Sequence, residues 1–312
     1  MALFAPAESA LLPPMHLPSL RLLGHWILFT VFAATAFAQP AKPATSKPAP
    51  NNLAWSYSHD AWQTSPRDLI QKWRAYTVSF DSDDDDDGDG KPDRWAVPHW
   101  VAYQVKAHAP LPAGPKRPSP WITDLALYAR GIVPADASYQ FPASMAKRPP
   151  YDRGHMCPKF TAWRMGPDAD WNTHTLVNAC PQHSDLNEGI WENLERRVDA
   201  WADEFKTVWV VTGPIFAGKK PSRWLGQPGE IPVAIPDAFF KIVIKTGPTP
   251  NRPDVLAFIY PNISISRKAT DHASYLTSVD AIEAKTGLDF LRKLPEADQT
   301  VVESGKATEL WK

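Results

Sequence analysis

The chain predicts an α+β fold, a mixed and mainly antiparallel central sheet flanked by helices. Three short runs, Trp100 to Val105, Thr207 to Val211 and Phe239 to Ile244, are rich in β-branched and aromatic residues and read as strands. Two segments, Asp185 to Trp201 and Ser278 to Leu288, space their apolar residues at helical intervals. No internal repeat recurs at a fixed period, which argues against a solenoid or propeller.

Taken in order, residues 1–38 hold one acidic residue, Glu8, one strongly basic one, Arg21, and an apolar run from Trp26 that ends in Ala36-Phe37-Ala38. This is the pattern of a secretory signal peptide cleaved after Ala38, with Met15 as an alternative start. The run from Trp26 to Ala38 falls short of the roughly 20 apolar residues of a spanning helix, so no permanent membrane anchor is expected and the destination is secreted or periplasmic. Residues 39–53 are rich in Pro and Ala and form a linker, which leaves 54–312 as one folded domain. Ser65 to Trp73 predicts a short helix, with Ser65 as cap, Pro66 in the first position and Leu69 and Trp73 on one face. The Asp185 helix is expected to open with Ser184 or Asp185 as cap and to place Trp191, Leu194 and Val198 on one side. The Ser278 helix is expected to end at Gly287.

The whole chain has 33 basic and 34 acidic side chains, a balance that hides an uneven distribution. Segment 81–93 alone carries eight aspartates against Lys91; beyond it and the leader, 31 basic residues face 25 acidic ones. A basic body suits a polyanionic substrate, although ordinary surface chemistry gives a surplus of this size as well. Within the insert, Asp85, Asp87, Asp89, Gly90 and Asp93 alternate oxygen donors around a glycine turn, a pattern that resembles thrombospondin type 3 and EF-hand-like calcium loops. It predicts a structural Ca2+ site. Position twelve from Asp85 is Ala96, where a full EF-hand has a glutamate, and a solvated acidic loop is the alternative.

An exported protein meets oxidising conditions, so Cys157 and Cys180, the two cysteines of the chain, are expected to form one disulfide. A zinc site adding His174 and His183 is the rival, set back by the lack of any Cys-x-x-Cys or His-x-x-x-His pair.

The densest chemistry lies in Asp152-Arg153-Gly154-His155, followed 32 residues after the histidine by Asn187. A histidine beside an arginine offers a proton acceptor next to a fixed cation, and a helix start supplies amide and carboxylate oxygens for a hard divalent ion. Those are the parts needed to cut a phosphodiester. Asn187 and Glu195 are eight residues apart, about 80 degrees round a helix, so both can face one cleft. Lys159 and Arg164 read either as phosphate contacts or as a solvated basic face, and His174 and His183 as supporting or structural. Trp163, Trp171 and Trp191 read as core rather than as base-stacking platforms.

Tyr151 to Met156, Asn178-Ala179-Cys180-Pro181-Gln182 and Asn187 to Glu195 together resemble the DNA/RNA non-specific endonucleases of the ββα-metal (His-Me finger) class, which includes mitochondrial endonuclease G. The resemblance runs from about Trp100 to Pro295, through Trp100 to Tyr103, Val211 to Pro214, Phe239 to Lys241 and Thr286 to Phe290. It implies a ββα-metal active-site motif and a metal-dependent endonuclease acting on DNA and RNA. His155 matches the general base, and Asn187 the protein ligand of a mostly hydrated Mg2+ (or Mn2+). Arg153 would steady phosphate charge, Asn178 would hold the site through hydrogen bonds, and Glu195 would orient metal-bound water. An arginine expected one turn after Glu195 is replaced by Asp199, which leaves Arg196 or Arg197 to substitute. A homodimer and an inhibitor protein are partners the resemblance allows. Two other readings stay open: an inactive, calcium-stabilised extracellular nucleic-acid-binding module, and an exported toxin nuclease with a co-produced inhibitor.

Overall fold

The computed structural model describes residues 69–81, 90, 93–140, 150–249 and 251–312, all within one compact unit, Pro43–Lys312. The expected signal peptide, the linker, the cap at Ser65, and Asp85, Asp87 and Asp89 of the insert lie outside the described residues. No helix among those described is long and apolar enough to cross a membrane.

Among the described residues eleven strands occur: β1 (Leu69–Lys72), β2 (Thr77–Phe80), β3 (Pro98–Lys106), β4 (Tyr151–His155), β5 (Ala179–His183), β6 (Thr207–Ile215), β7 (Trp224–Leu225), β8 (Val233–Ala234), β9 (Ala238–Thr249), β10 (Arg252–Pro261) and β11 (Leu276–Thr277). Seven of them form one sheet in the order β1-β2-β3-β6-β9-β10-β11, and every neighbouring pair in it is antiparallel. The three sequence-predicted strands are its centre, β3, β6 and β9. The helix expected over Ser65 to Trp73 is not formed by its described part. Leu69–Lys72 pairs in register with Thr77–Phe80, and Trp73 N–H closes the connecting turn on Tyr76 C=O at 2.7 Å. Pairing across a tight hairpin here overrides a weak local helix preference.

The strands alternate, which gives the sheet two buried faces. Trp100 and Ala102 of β3, Trp209 and Val211 of β6, and Phe240, Ile242 and Ile244 of β9 pack with Val279, Ile282, Leu288 and Phe290. That face is covered by helices Val279–Thr286 and Glu296–Ser304; the former is capped by Ser278, whose Oγ accepts from Ala281 N–H, and it closes at Gly287 as expected. Val101, Tyr103 and Val105 of β3, Val208 and Val210 of β6, and Phe239 and Val243 of β9 point the other way, onto Leu194, Val198, Trp201 and Ala202 of the long helix Glu192–Phe205. Side chains of this size, fully buried, contribute roughly 1.5–3 kcal/mol each, enough to fix that helix across the sheet. Lys241 shares the parity of Phe239 and Val243 and is therefore sent under that helix, where it is fully buried.

Candidate active site

Strands β4 and β5 form a separate antiparallel pair, with His155 opposite Ala179 and Gly154 opposite Cys180. Gly154 is required by this close approach: a Cβ there would sit 2.5 Å from Gln182 Cβ. β5 runs directly into the helical segment that starts at Ser184, completing a strand–strand–helix unit. The cap is neither Ser184 nor Asp185 but His183, whose Nδ1 accepts from Asp185 N–H at 3.2 Å. Nor is the expected helix continuous. Residues Asn187–Trp191 form a π-type turn with Gly189 at φ −116°, ψ −115°, and Arg267 Cα would lie 2.9 Å from a Cβ at Gly189. The loop holding Arg267 fastens this turn: Arg267 bonds Asp185 at 2.9 Å and also Glu188, and Ser264 Oγ donates to Asp185 at 2.8 Å. The simple helical angle between Asn187 and Glu195 therefore does not apply, yet both residues line one open cleft of about 490 Å³ together with Arg153 and His155.

His155 is half-buried; its Nε2 is sealed from solvent with no hydrogen-bond partner among the described residues, which leaves Nδ1 as the nitrogen that opens to the cleft. Burial holds its imidazole well below the ordinary 6.5, reinforced by the positive charges of His174, Arg117 and Lys159. The ring is therefore neutral at neutral pH, the form that accepts a proton.

Asn187 donates Nδ2–H to Asp152 Oδ2 at 3.0 Å, and Ser184 Oγ donates to Asp152 Oδ1 at 3.1 Å. A carboxylate only accepts, so this bond fixes the amide orientation and turns Asn187 Oδ1 away as an unengaged hard donor. Glu195 is buried beside Lys241, whose Nζ donates to Oε1 at 3.3 Å and lies 4.0 Å from the Trp191 ring centre. Burial pushes the Glu195 carboxyl up to about 7, against the pull of Lys241, and burial lowers Lys241 against the pull of Glu195.

Asn178 is fully buried and fully satisfied: Oδ1 accepts from Cys157 N–H at 2.8 Å, and Nδ2 donates to Cys157 and Thr173 C=O, each at 2.9 Å. It fastens the backbone that leaves His155. Arg153 lines the cleft but is anchored from behind, its Nε 2.9 Å from Asp136 Oδ1 and its Nη2 donating to Asp136 C=O at 3.2 Å.

Lys159 also reaches the cleft, ion-paired to Asp170 at 2.8 Å. Arg164 does not. It is held by Asp199 and Asp203, so the residue standing where an arginine was expected is the acceptor of a structural ion pair. Of the two substitutes, Arg196 lines the cleft, 4.8 Å from the Phe160 ring centre, while Arg197 turns to Asn193. Trp191 is buried, but Trp171 is half-exposed, so its assignment to the core is corrected: it sits in the short helix Pro167–Asn172, whose inner face is taken by Ala169 and Asp170.

The expected disulfide is absent; Cys157 and Cys180 are free, buried thiols that burial pushes up in pKa. The strand register explains it. Cys180 stands opposite Gly154, three residues from Cys157 or roughly 10 Å along extended chain, while bridged cysteines have Cα atoms within about 7 Å. The zinc alternative fails too: among the described residues the one trio of His, Cys, Asp or Glu donors close enough to share an ion is Asp280, Glu283 and Glu303. Asp81, counted in the acidic insert, accepts from Ala96 N–H at 2.8 Å and from Trp95 N–H, holding the chain as it enters β3.

Arg117, Trp121 and Asp136 carried no functional sequence signal. Arg117 enters the cleft from a proline-rich stretch without periodicity, and no ion pair engages it among the described residues. Lys241 had a legible clue, a cation flanked on both sides by apolar residues, Phe239-Phe240 and Ile242-Val243-Ile244. Asp152 stood inside the quoted motif without a role. A second cavity, of about 280 Å³, holds none of these residues and is lined in part by Trp95, Phe216, Lys219 and Lys285.

A β-hairpin feeding a helix, with a histidine on the first strand and an amide oxygen at the helix start, defines the ββα class of site. The sequence model of the DNA/RNA non-specific endonucleases matches residues 64–297, and the chain belongs to that family. It is 31% identical over 214 residues to the Nuclease of Serratia marcescens, covering 66% of this chain and 73% of that protein. It is 35% identical over 159 residues to the Mitochondrial nuclease of Saccharomyces cerevisiae, and 29% identical over 147 residues to the mitochondrial Endonuclease G of Homo sapiens. It spans about half the length of these last two, 47% and 48%. A solved chain of the EndoG/EndoGI complex shares the fold, with a TM-score of 0.58 at 23% identity, over 74% of this chain and 89% of that one.

Proposed function

We propose that this chain is an exported, divalent-metal-dependent endonuclease that hydrolyses DNA and RNA phosphodiesters with little sequence preference. One observation carries the reading: a neutral imidazole opens into the same cleft as an asparagine whose carbonyl oxygen has been left unengaged by Asp152. The donor set fits Mg2+ or Mn2+. Asn187 Oδ1 is a hard oxygen ligand, carboxylates of Asp152, Glu188 and Glu192 face the same cleft, and a single protein ligand suits an ion that dehydrates reluctantly. When bound there, the ion supplies positive charge against the phosphate and the departing oxygen.

His155 takes a proton from the attacking water at Nδ1. A positioned base of this kind contributes about 10²–10⁴ in rate, short of what enzymes achieve in total, so charge around the phosphate has to supply the rest. Arg117 supplies it directly, as a cleft cation with no ion-pair partner among the described residues, whereas Arg153, Lys159 and Arg196 bring charge already shared with Asp136, Asp170 and Glu192. Glu195 would orient water in the cleft when the ion is bound, and Asn178 holds the strand end that presents His155. Such contacts read backbone, not base edges. We extend the proposal to a secreted or periplasmic location after signal cleavage, to a structural Ca2+ in the acidic insert, and to control by an inhibitor protein, in keeping with the relative solved in the EndoG/EndoGI complex.

The test incubates the purified protein with supercoiled plasmid and with RNA in Mg2+, Ca2+ or EDTA. Nicking and RNA cleavage that EDTA and His155→Ala abolish are expected. Nucleic-acid binding without product under every ion would overturn the proposal in favour of an inactive binding module.

A further inference from the structure

A catalytic imidazole is normally aimed by a hydrogen bond to the nitrogen opposite the reacting one. His155 has no such bond among the described residues: Nε2 is buried and unpartnered. Something else has to orient the ring. The indole of Trp121 lies 4.5 Å from it, centre to centre and inclined by 50°. His174 meets it edge-on at 5.2 Å and 88°, and Trp121 meets His174 at 5.5 Å and 70°. The three rings touch pairwise.

The wall they form is itself fixed. Trp121 N–H donates to Asp136 Oδ1 at 3.1 Å, the oxygen that also pairs with Arg153. The next residue, Ile122, bridges to the His174 segment, donating to His174 C=O at 2.9 Å and accepting from Leu176 N–H at 3.2 Å. Asp136 thus binds two pieces of the cleft, the Trp121 backbone and the Arg153 guanidinium, to one carboxylate.

We propose that Trp121, pinned by Asp136 and backed by His174, is the positioning residue that seats His155 and keeps its inner edge dry, replacing the missing hydrogen bond by ring packing. This rests on the assignment of His155 as the base. The groups whose charge the imidazole feels, His174, Arg117 and Lys159, are not themselves altered by a substitution at Trp121.

The test compares Trp121→Ala and Trp121→Phe in the full chain by two independent readouts. In the first, histidine-labelled protein without substrate is titrated by NMR. Trp121→Ala should bring the His155 midpoint up toward 6.5 and broaden its signal, and Trp121→Phe should restore most of the wild-type behaviour. In the second, Trp121→Ala should lower kcat on the order of 10- to 100-fold, the scale of a misplaced catalytic group, with KM within about twofold of wild type. His174→Phe, which keeps a ring and removes the imidazole nitrogens, should retain kcat better than His174→Ala, and it serves where Trp121→Ala fails to fold. An unchanged His155 midpoint in Trp121→Ala, or a raised KM at constant kcat, would overturn the proposal, the latter by making Trp121 a substrate contact. A wild-type protein without nuclease activity would sink the proposed function and still leave the NMR comparison to judge the seating of His155.

Discussion

Replacing Lys241 by methionine should produce a loss of stability that exists only on the alkaline side of neutrality. The reasoning starts from Glu195, buried with Lys241 as its ion-pair partner and pushed up to about 7 by desolvation. A carboxyl whose folded pKa is raised contributes stability below its unfolded value near 4.5, and that contribution is lost as pH rises through the folded pKa. Removing Lys241 takes away the pull that holds Glu195 down, so the folded pKa climbs further. Below pH 7 the carboxyl is neutral in both proteins, and the variant should match or exceed wild type, since the burial of an ammonium group is no longer required. Above pH 7 wild type ionises and the variant does not. The penalty then grows by about 1.4 kcal/mol per pH unit, reaching about 2.7 kcal/mol at pH 9 if the new pKa is 9 or higher. Deprotonation of Lys241 itself, whose pKa burial lowers, adds to the trend with the same sign. Urea denaturation of both proteins at pH 6, 7, 8 and 9 measures this directly, and the double variant Glu195→Gln/Lys241→Met, which has no carboxyl to keep neutral, should lack the single variant's alkaline loss. A difference for the single variant that is flat, or greatest at pH 6, would refute the ion-pair reasoning.

Four further outcomes are expected. Asn187→Ala and Asp152→Ala should both raise the Mg2+ concentration needed for half-maximal plasmid nicking, Asp152→Ala less so because it frees the amide without removing the ligand. Gly154→Ala should cost about 1–3 kcal/mol in urea midpoint analysis, because the new methyl falls on Gln182. His272, lowered to about 4 by burial, accepts from or donates to Tyr260 at 2.8 Å and Asn193 at 2.7 Å, so its contribution is present above pH 6.5 and lost as pH falls toward 4; the thermal-midpoint gap between wild type and His272→Ala should narrow from pH 7 to pH 5. Cys157 and Cys180 should react with a thiol reagent only upon unfolding, and reductant should leave the melting temperature unchanged.

The central sheet was legible because β3, β6 and β9 are buried on both faces and read as apolar runs that no surface strand would show. β1 was not, since an edge hairpin is decided by pairing with β2 and leaves only a weak local pattern. The motif Asp152 to His155 and the spacing to Asn187 could be read because they lie on one continuous strand and at one helix start. What decides how they work comes from elsewhere in the chain: Asp136 behind Arg153, Lys241 beneath Glu195, and Arg117 and Trp121 from an irregular stretch. Such partners are set by tertiary packing, which leaves no local period. The disulfide was misjudged for a related reason. Sequence proximity to a common site says nothing about register, and a shift of three residues is enough to forbid the bond.

One physical cause, desolvation, acts on His155 and Glu195 of the cleft and drives them in opposite directions. It pushes His155 below its ordinary range and Glu195 up to about 7, because in each case the charged form is the one disfavoured. On the proposed reading, the proton acceptor and the water-orienting carboxyl are set apart by environment, not by residue type. At neutral pH the base is uncharged and the carboxyl is only partly ionised, so Arg117, Lys159 and the paired arginines are less offset by anionic charge than their formal neighbours suggest. The same dryness that makes His155 a ready base also makes its seat dependent on packing, which ties the chemistry of the cleft to the indole of Trp121 and the carboxylate of Asp136.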